Sequence, residues 1–164
     1  MIRPISEFAN QFGTSFRADE RSLVKKENRY FLLNENVKKL TSEDFFYAGT
    51  FLGKTRRGKF LPSFSLLAML AEREANKIVV DKKTEWLFIC GRDIFKRGIT
   101  KTTGSKRKGA YVLILNQYDE CLGFGKIVSD LNKEAQGVAV KNVLDIGDFL
   151  RRERARTGCR RASP

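Results

Sequence analysis

Ile5, Phe8 and Phe12 recur at helical spacing, which predicts a short amphipathic helix over Ile5–Phe12. Two apolar runs, Ser22–Lys26 and Arg29–Leu33, flank Glu27 and Asn28, the signature of a hairpin. Asn34 then stands where a helix cap belongs, before a helix Glu35–Leu40 that turns Val37 and Leu40 inward. Phe45–Gly53 is aromatic and broken by glycine, the pattern of a strand. Arg56-Arg57-Gly58 is the turn that returns it through Phe60 and Leu61. Pro62 ends that strand and Ser63 caps a helix predicted over Phe64–Ala75.

The pattern changes after the polar break Asn76-Lys77. Ile78-Val79-Val80 reads as a buried strand, and Lys82–Cys90 as a helix closed by Gly91 in the left-handed position that follows a helix. Ile94-Phe95 and Gly98-Ile99 precede a basic loop, Thr100–Lys108. Tyr111–Leu115 is a strongly apolar strand, Gln117–Glu120 a turn, and Cys121–Val128 its partner. Gly137–Lys141 is a further short strand. A final helix is expected over Asp145–Arg152, with Asp145 and Asp148 at its positive start and Arg151 and Arg152 near its negative end. Mixed helices and hairpins in the first half, then short strands with glycine-rich turns, describe an α+β domain followed by a small barrel or pseudo-barrel. The expected domains are 1–75 and 76–152, followed by a basic tail, 153–164.

At 164 residues, 41% hydrophobic and with 13 Phe, the chain can bury a core in each half. Charge adds more. The formal net charge is +13, and it is localised. Lys54–Lys59, Lys96–Lys108 and Arg151–Pro164 hold 16 of the 32 basic residues and one of the 19 acids, leaving the rest nearly neutral. One such run is an ordinary solvated loop; three that hold the whole surplus favour a footprint for a polyanion. A membrane surface is the weaker reading, because no large apolar helix face or lipidation signal accompanies the charge.

The absences narrow the chemistry. There is no histidine, which excludes Ser-His and Cys-His nucleophile pairs and His-containing zinc sites. Cys90, Cys121 and Cys159 form no CxxC pair, so neither a metal nor a cofactor is expected, and their odd, scattered count suits a reducing cytoplasm. Leu66–Ala71, six residues, is as long as the apolar runs become, against the roughly 20 that span a bilayer. A soluble, cytoplasmic protein without catalytic chemistry is expected.

Three motifs invite a sharper reading and do not support it. Leu122-Gly123-Phe124-Gly125 contains GxG but lacks the third glycine and the following helix of a nucleotide site; its glycines instead let a strand bend or approach a neighbouring chain. Gly104-Ser105-Lys106 lacks the first glycine of a phosphate loop. Asp145 and Asp148 are explained as helix-capping carboxylates better than as a catalytic pair. Phe45, Phe46, Tyr47 and Phe51 read as core, with a base-stacking role for one of them left open.

The run Trp86-Leu87-Phe88-Ile89-Cys90-Gly91-Arg92-Asp93-Ile94-Phe95-Lys96-Arg97-Gly98-Ile99 resembles the opening of a PUA domain, the module named for pseudouridine synthase and archaeosine transglycosylase. Gly109–Leu115 and Leu122–Gly125 are similar to that domain's central strand and its LGxG strand. Leu144–Arg152 resembles the DIGE(Y/F)(V/L)R ending of the Nip-seven family of large-ribosomal-subunit biogenesis factors. Tyr47–Lys54 is similar to that family's SLGTxxGK strand. The resemblance covers residues 1–152.

The resemblance implies a pre-PUA domain followed by a PUA pseudo-barrel, with no catalytic activity and no cofactor. It implies binding of U-rich RNA and of pre-rRNA, alongside other assembly proteins that would meet the N-terminal domain. In a eukaryotic cell it implies a nucleolar or nuclear place. Arg151 and Arg152 match the family's basic residues after the DIGDFL segment, and Arg154 and Arg156 continue the basic tail. Lys106, Arg107 and Lys108 would form a second phosphate rail, and backbone amides near Gly91 and Gly98 would meet RNA as in related modules. The alternative is a protein–protein adaptor of an RNA-processing complex with only generic RNA affinity.

Overall fold

The computed structural model describes residues 3–40, 47–132, 137–148 and 151. The chain forms two compact units, Met1–Ala75 and Asn76–Pro164.

In the first unit α1 (Arg3–Asn10) places Ile5, Phe8 and Ala9 inward. β1 (Leu23–Lys26) and β2 (Arg29–Leu32) pair antiparallel around Glu27, whose φ of 52° closes the turn. Asn34 caps α2 (Glu35–Leu40) by accepting from the Val37 N–H at 2.8 Å. β3 (Thr50–Arg56) and β4 (Lys59–Pro62) complete an antiparallel sheet in the order β1-β2-β3-β4. Phe8 packs on Phe12 at 5.1 Å and on Phe60 of β4 at 5.5 Å, which fastens α1 to the sheet. Ser63 caps α3 (Phe64–Ala71), accepting from the Leu66 N–H at 3.1 Å, and Leu66, Leu67 and Leu70 fill the core.

Two expectations are corrected in this unit. The strand expected over Phe45–Gly53 begins at Thr50; Tyr47 is exposed outside it, and Phe45 and Phe46 lie outside the described residues. The helix expected to reach Ala75 stops at Ala71, where the apolar run gives way to Glu72, Arg73 and Glu74.

The second unit is built on one six-stranded sheet. Its strands are β5 (Lys77–Val80), β6 (Ile94–Phe95), β7 (Ile99–Thr103), β8 (Tyr111–Leu115), β9 (Cys121–Ile127) and β10 (Val138–Asp145), in the order β6-β10-β9-β8-β5-β7. Among the described residues only the β5–β8 pair of this sheet is parallel. α4 (Lys82–Ile89) follows β5 and buries Phe88 among Ile78, Val80, Ile94 and Val140. The result is a mostly β half-barrel with its own apolar core. The glycines of the LGFG strand act as spacers. A Cβ on Gly123 would fall 2.0 Å from the Leu144 carbonyl oxygen, and one on Gly125 2.7 Å from that of Lys141. β9 and β10 can approach this closely only without those side chains.

Two further expectations change here. Residues 100–103 of the expected basic loop belong instead to the edge strand β7 (Ile99–Thr103). The expected short strand Gly137–Lys141 extends to Asp145, so Asp145 ends β10 and caps no helix; a helical turn begins only at Asp148. No described helix is long and apolar enough to cross a membrane.

Candidate nucleic-acid interface

Asp81 starts α4 by accepting from the Thr84 N–H at 2.7 Å, which holds its carboxyl below the ordinary aspartate value. The helix ends in a glycine-closed turn. Gly91 has φ +86°, its N–H reaches the Phe88 carbonyl at 2.8 Å, and the Arg92 N–H reaches that of Leu87 at 3.0 Å. That double closure requires a left-handed residue, which glycine supplies without strain.

Arg151 completes the helix end. Its Nη1 donates to the Ile89 carbonyl, its Nη2 to Asp145 Oδ2 at 2.6 Å. The guanidinium lies over Gly91, where a Cβ would stand 3.2 Å from Arg151 Cζ. Asp145 raises the Arg151 pKa further. Asp145 is 3% exposed and Arg151 40% by side chain, so the pair ties a buried carboxylate to a half-open cation. Asn142 Nδ2 joins them, donating to Phe88 O at 3.0 Å and to Asp145 Oδ2 at 3.1 Å. The other carboxylate oxygen, Oδ1, has no hydrogen bond among the described residues.

Gly98 does different work. A Cβ there would meet Thr84 Oγ1 at 2.0 Å, and the Gly98 carbonyl accepts from the Asp81 N–H at 3.0 Å. The start of α4 therefore rests directly on the turn Lys96–Gly98. Beside this contact lies a cavity of about 320 Å3, lined by Leu87 and Phe95 with Lys83, Arg97, Asp81 and Asp93. Phe95 is exposed, and the Arg97 guanidinium sits 5.8 Å from its ring centre. Both carboxylates are engaged by the fold: Asp81 caps α4, and Asp93 Oδ1 accepts from the Asn142 N–H at 2.8 Å. The groove thus sets apolar Leu87 and Phe95 among two cations, Lys83 and Arg97, and two carboxylates, Asp81 and Asp93.

A second cavity, of about 200 Å3, is lined by Lys96 of the same turn and by Lys101 and Lys106, with Ile99, Thr100, Thr102 and Leu131. Lys106 is brought there by the Leu131 N–H, which donates to its carbonyl at 3.0 Å.

The residues expected to touch RNA are therefore distributed. Gly91 and Arg151 meet at the end of α4, Gly98 lines the groove, and Lys106 lines the second cavity. Arg107 and Lys108 are exposed on the loop but line neither. Arg152, Arg154 and Arg156 lie outside the described residues. Sequence reasoning passed over Lys96 and Lys101, which share the run with Lys106 but reach its cavity only through the fold; the acid-free run was their sole signal. It also passed over Phe95 and Leu87, which an apolar count assigns to a core. Among the described residues no cluster of three or more His, Cys, Asp or Glu side chains gathers to hold a metal.

This fold is that of a PUA-type module following an α+β domain. Residues 76–154 match the UPF0113 PUA domain. An Archaeoglobus fulgidus UPF0113 protein is 30% identical over 114 residues, 66% of this chain and 63% of that protein, so the chain spans less than two thirds of that relative. A 60S ribosome subunit biogenesis protein NIP7 homolog from Dictyostelium discoideum is 26% identical over 79% of this chain and 77% of its own. Its Danio rerio counterpart is 28% identical over 77% and 75%. The fold is shared with a conserved PUA domain protein from Thermoplasma acidophilum (TM-score 0.57, 21% identity, 92% of each chain). It is shared also with an Aeropyrum pernix PUA domain (TM-score 0.59, 19% identity, 90% of this chain and 83% of that one).

Proposed function

We propose that the protein is a non-catalytic RNA-binding factor of large-ribosomal-subunit biogenesis that acts on pre-rRNA and binds single-stranded RNA through its second unit. The observation that carries this reading is the groove between α4 and the turn Lys96–Gly98. It sets an exposed Phe95 beside Arg97 within the acid-free basic run, on a UPF0113 PUA domain. An aromatic face accepts a base whatever its identity, and the flanking cations take the phosphates. The ribosomal role follows from similarity to the NIP7 homologues. Another relative, a tRNA-guanine(15) transglycosylase from Methanosphaera stadtmanae, matches over 63% of this chain but 14% of its own length, so its catalytic name concerns a protein mostly outside the match.

The tail arginines Arg152, Arg154 and Arg156 add phosphate contacts, and Arg151 fixes where that tail leaves the domain. Lys106, Arg107 and Lys108 form the second rail, and the amides around Gly91 and Gly98 border the RNA. The first unit serves partner proteins of the assembly pathway, in the cytoplasm or, in a eukaryotic cell, the nucleolus.

Fluorescence anisotropy with U-rich and A-rich single strands across a salt series tests the reading. A preference for U-rich RNA is expected, together with a log–log salt slope of about −0.7 for each phosphate neutralised. Equal and weak binding of both RNAs, only at low salt, would move the conclusion to the adaptor reading.

A further inference from the structure

The β1–β2 and β3–β4 hairpins hold seven of the 13 basic residues of the first unit and one of its nine acids, Glu27. The RNA reading uses none of these cations. Their register decides which way they face. Cross-strand partners share one face of an antiparallel sheet, and alternate residues along a strand return to it. Lys26 pairs with Arg29, Arg29 with Lys54 and Lys54 with Leu61, a single row across all four strands. Arg56, two residues beyond Lys54, pairs with Lys59. On the opposite face Thr55 pairs with Phe60, whose ring packs on the buried Phe8 and Tyr30 at 5.5 and 5.8 Å. The cationic face is therefore the one turned away from α1. The Thr55 N–H donates to the Asn28 carbonyl at 2.7 Å and joins the two hairpins near their turns.

Lys26 and Arg29 each already have an interaction partner, so the exposed Lys54, Arg56 and Lys59 carry the argument. Arg56 stands directly opposite Lys59, a like-charge pair that an antiparallel sheet disfavours and that an anionic group laid across it relieves. The same face turns apolar beyond Lys54. Leu61, level with Lys54, is 42% exposed. A bulge at Leu52 sets Phe51 opposite Phe31 on this face. Tyr47, 60% exposed, packs its ring on Phe51 at 6.3 Å and on Phe31 at 5.4 Å. An aliphatic side chain offers no ring face to a base, whereas Leu61 beside Lys54 suits the mixed side chains of a peptide.

We propose that this face docks an extended acidic segment of a partner protein, with two acidic residues at alternate positions and an apolar residue at the next. The inference rests on the reading above that the first unit serves partner proteins. Same-side residues of an extended chain repeat every 6.6–6.8 Å or about that, which is also the interval between Lys54 and Arg56 along β3. One carboxylate then meets Arg56 and Lys59, the next meets Lys54, and the apolar side chain reaches Phe51 and Tyr47. Charge complementarity selects the partner, and the apolar end fixes its register.

The full-length protein, labelled with nitrogen-15, is titrated with three probes: a synthetic peptide repeating Glu-Ser-Glu-Ser-Leu, the same peptide with Gln for Glu, and a short U-rich single-stranded RNA. The acidic peptide is expected to shift the amides of Lys54, Arg56, Lys59 and Leu61, and the Gln peptide to leave them in place. The RNA should shift amides of the second unit and not these. Lys54→Gln with Lys59→Gln should weaken the acidic peptide about fivefold, the effect of two exposed ion pairs, and leave RNA affinity unchanged. The control pair Arg107→Gln and Lys108→Gln should leave peptide binding unchanged. Unmoved first-unit amides with the acidic peptide, or equal shifts with the Gln peptide, would overturn the docking face and leave the RNA reading standing. Acidic-peptide shifts spread evenly over the basic runs of both units would overturn it too, as a response to net charge alone. Shifts of the four amides with RNA would make the face a nucleic-acid surface and overturn both this inference and the assignment of the first unit to partner proteins.

Discussion

Arg151 stands in a run of arginines, and charge alone does not decide whether such a guanidinium faces a phosphate or the fold. Its fork is engaged by Asp145 Oδ2 and the Ile89 carbonyl. Removing it leaves a buried carboxylate without its countercharge, which costs about 3 kcal/mol. Arg151→Ala is therefore expected to lower the urea midpoint strongly. Arg154→Ala with Arg156→Ala should stay within about 0.5 kcal/mol of wild type, while flattening the RNA salt slope. Asp81 gives a second test. Losing its cap in Asp81→Ala should cost about 1 kcal/mol at neutral pH. Because folding lowers the Asp81 pKa, its stabilisation is complete above the ordinary value of 3.8 and is lost as pH falls through the lower folded value. The difference between variant and wild type, followed by denaturation at several pH values, should be full at pH 7 and shrink below 3.8. The caps at Asn34 and Ser63 were legible in the sequence because their signals are local. The role of Arg151 was not, because its partner Asp145 becomes a partner only once β10 has run past α4.

At the scale of elements, α4 and the turn beneath it organise the site. Gly98 lets them touch, and a methyl group there would drive into Thr84. Gly98→Ala is expected to destabilise the protein by about 1–3 kcal/mol and to weaken RNA binding by deforming the groove. Adding Thr84→Ser, which removes the methyl and keeps the hydroxyl, should not rescue it, because Oγ1 is the nearest atom. Thr84→Ala should rescue it in part, a comparison that denaturant titration reads directly. The turn of the first hairpin and the apolar β8 announce themselves through local pattern. β7 does not. Ile99–Thr103 carries its lysine and threonines on an edge, so charge masks strand propensity until β5 pairs with it. β10 is hidden for a related reason: Asp145 looks like a helix start but is the buried end of a strand.

At the scale of the molecule, the two units divide the chemistry. The second carries two of the three basic runs, the groove and the match to the UPF0113 PUA domain. The first carries the third run at the tip of the β3–β4 hairpin, Lys54–Lys59. A net charge of +13 suits a polyanionic partner, and the proposed reading puts its path on the second unit. Ultraviolet cross-linking of the full chain to a short U-rich single strand, mapped by mass spectrometry, tests that assignment most directly. Cross-links are expected in the segment Lys82–Lys108, centred on Phe95 and its neighbours, and in the arginine tail. Cross-links concentrated at the Lys54–Lys59 hairpin, or spread evenly over both units, would contradict it.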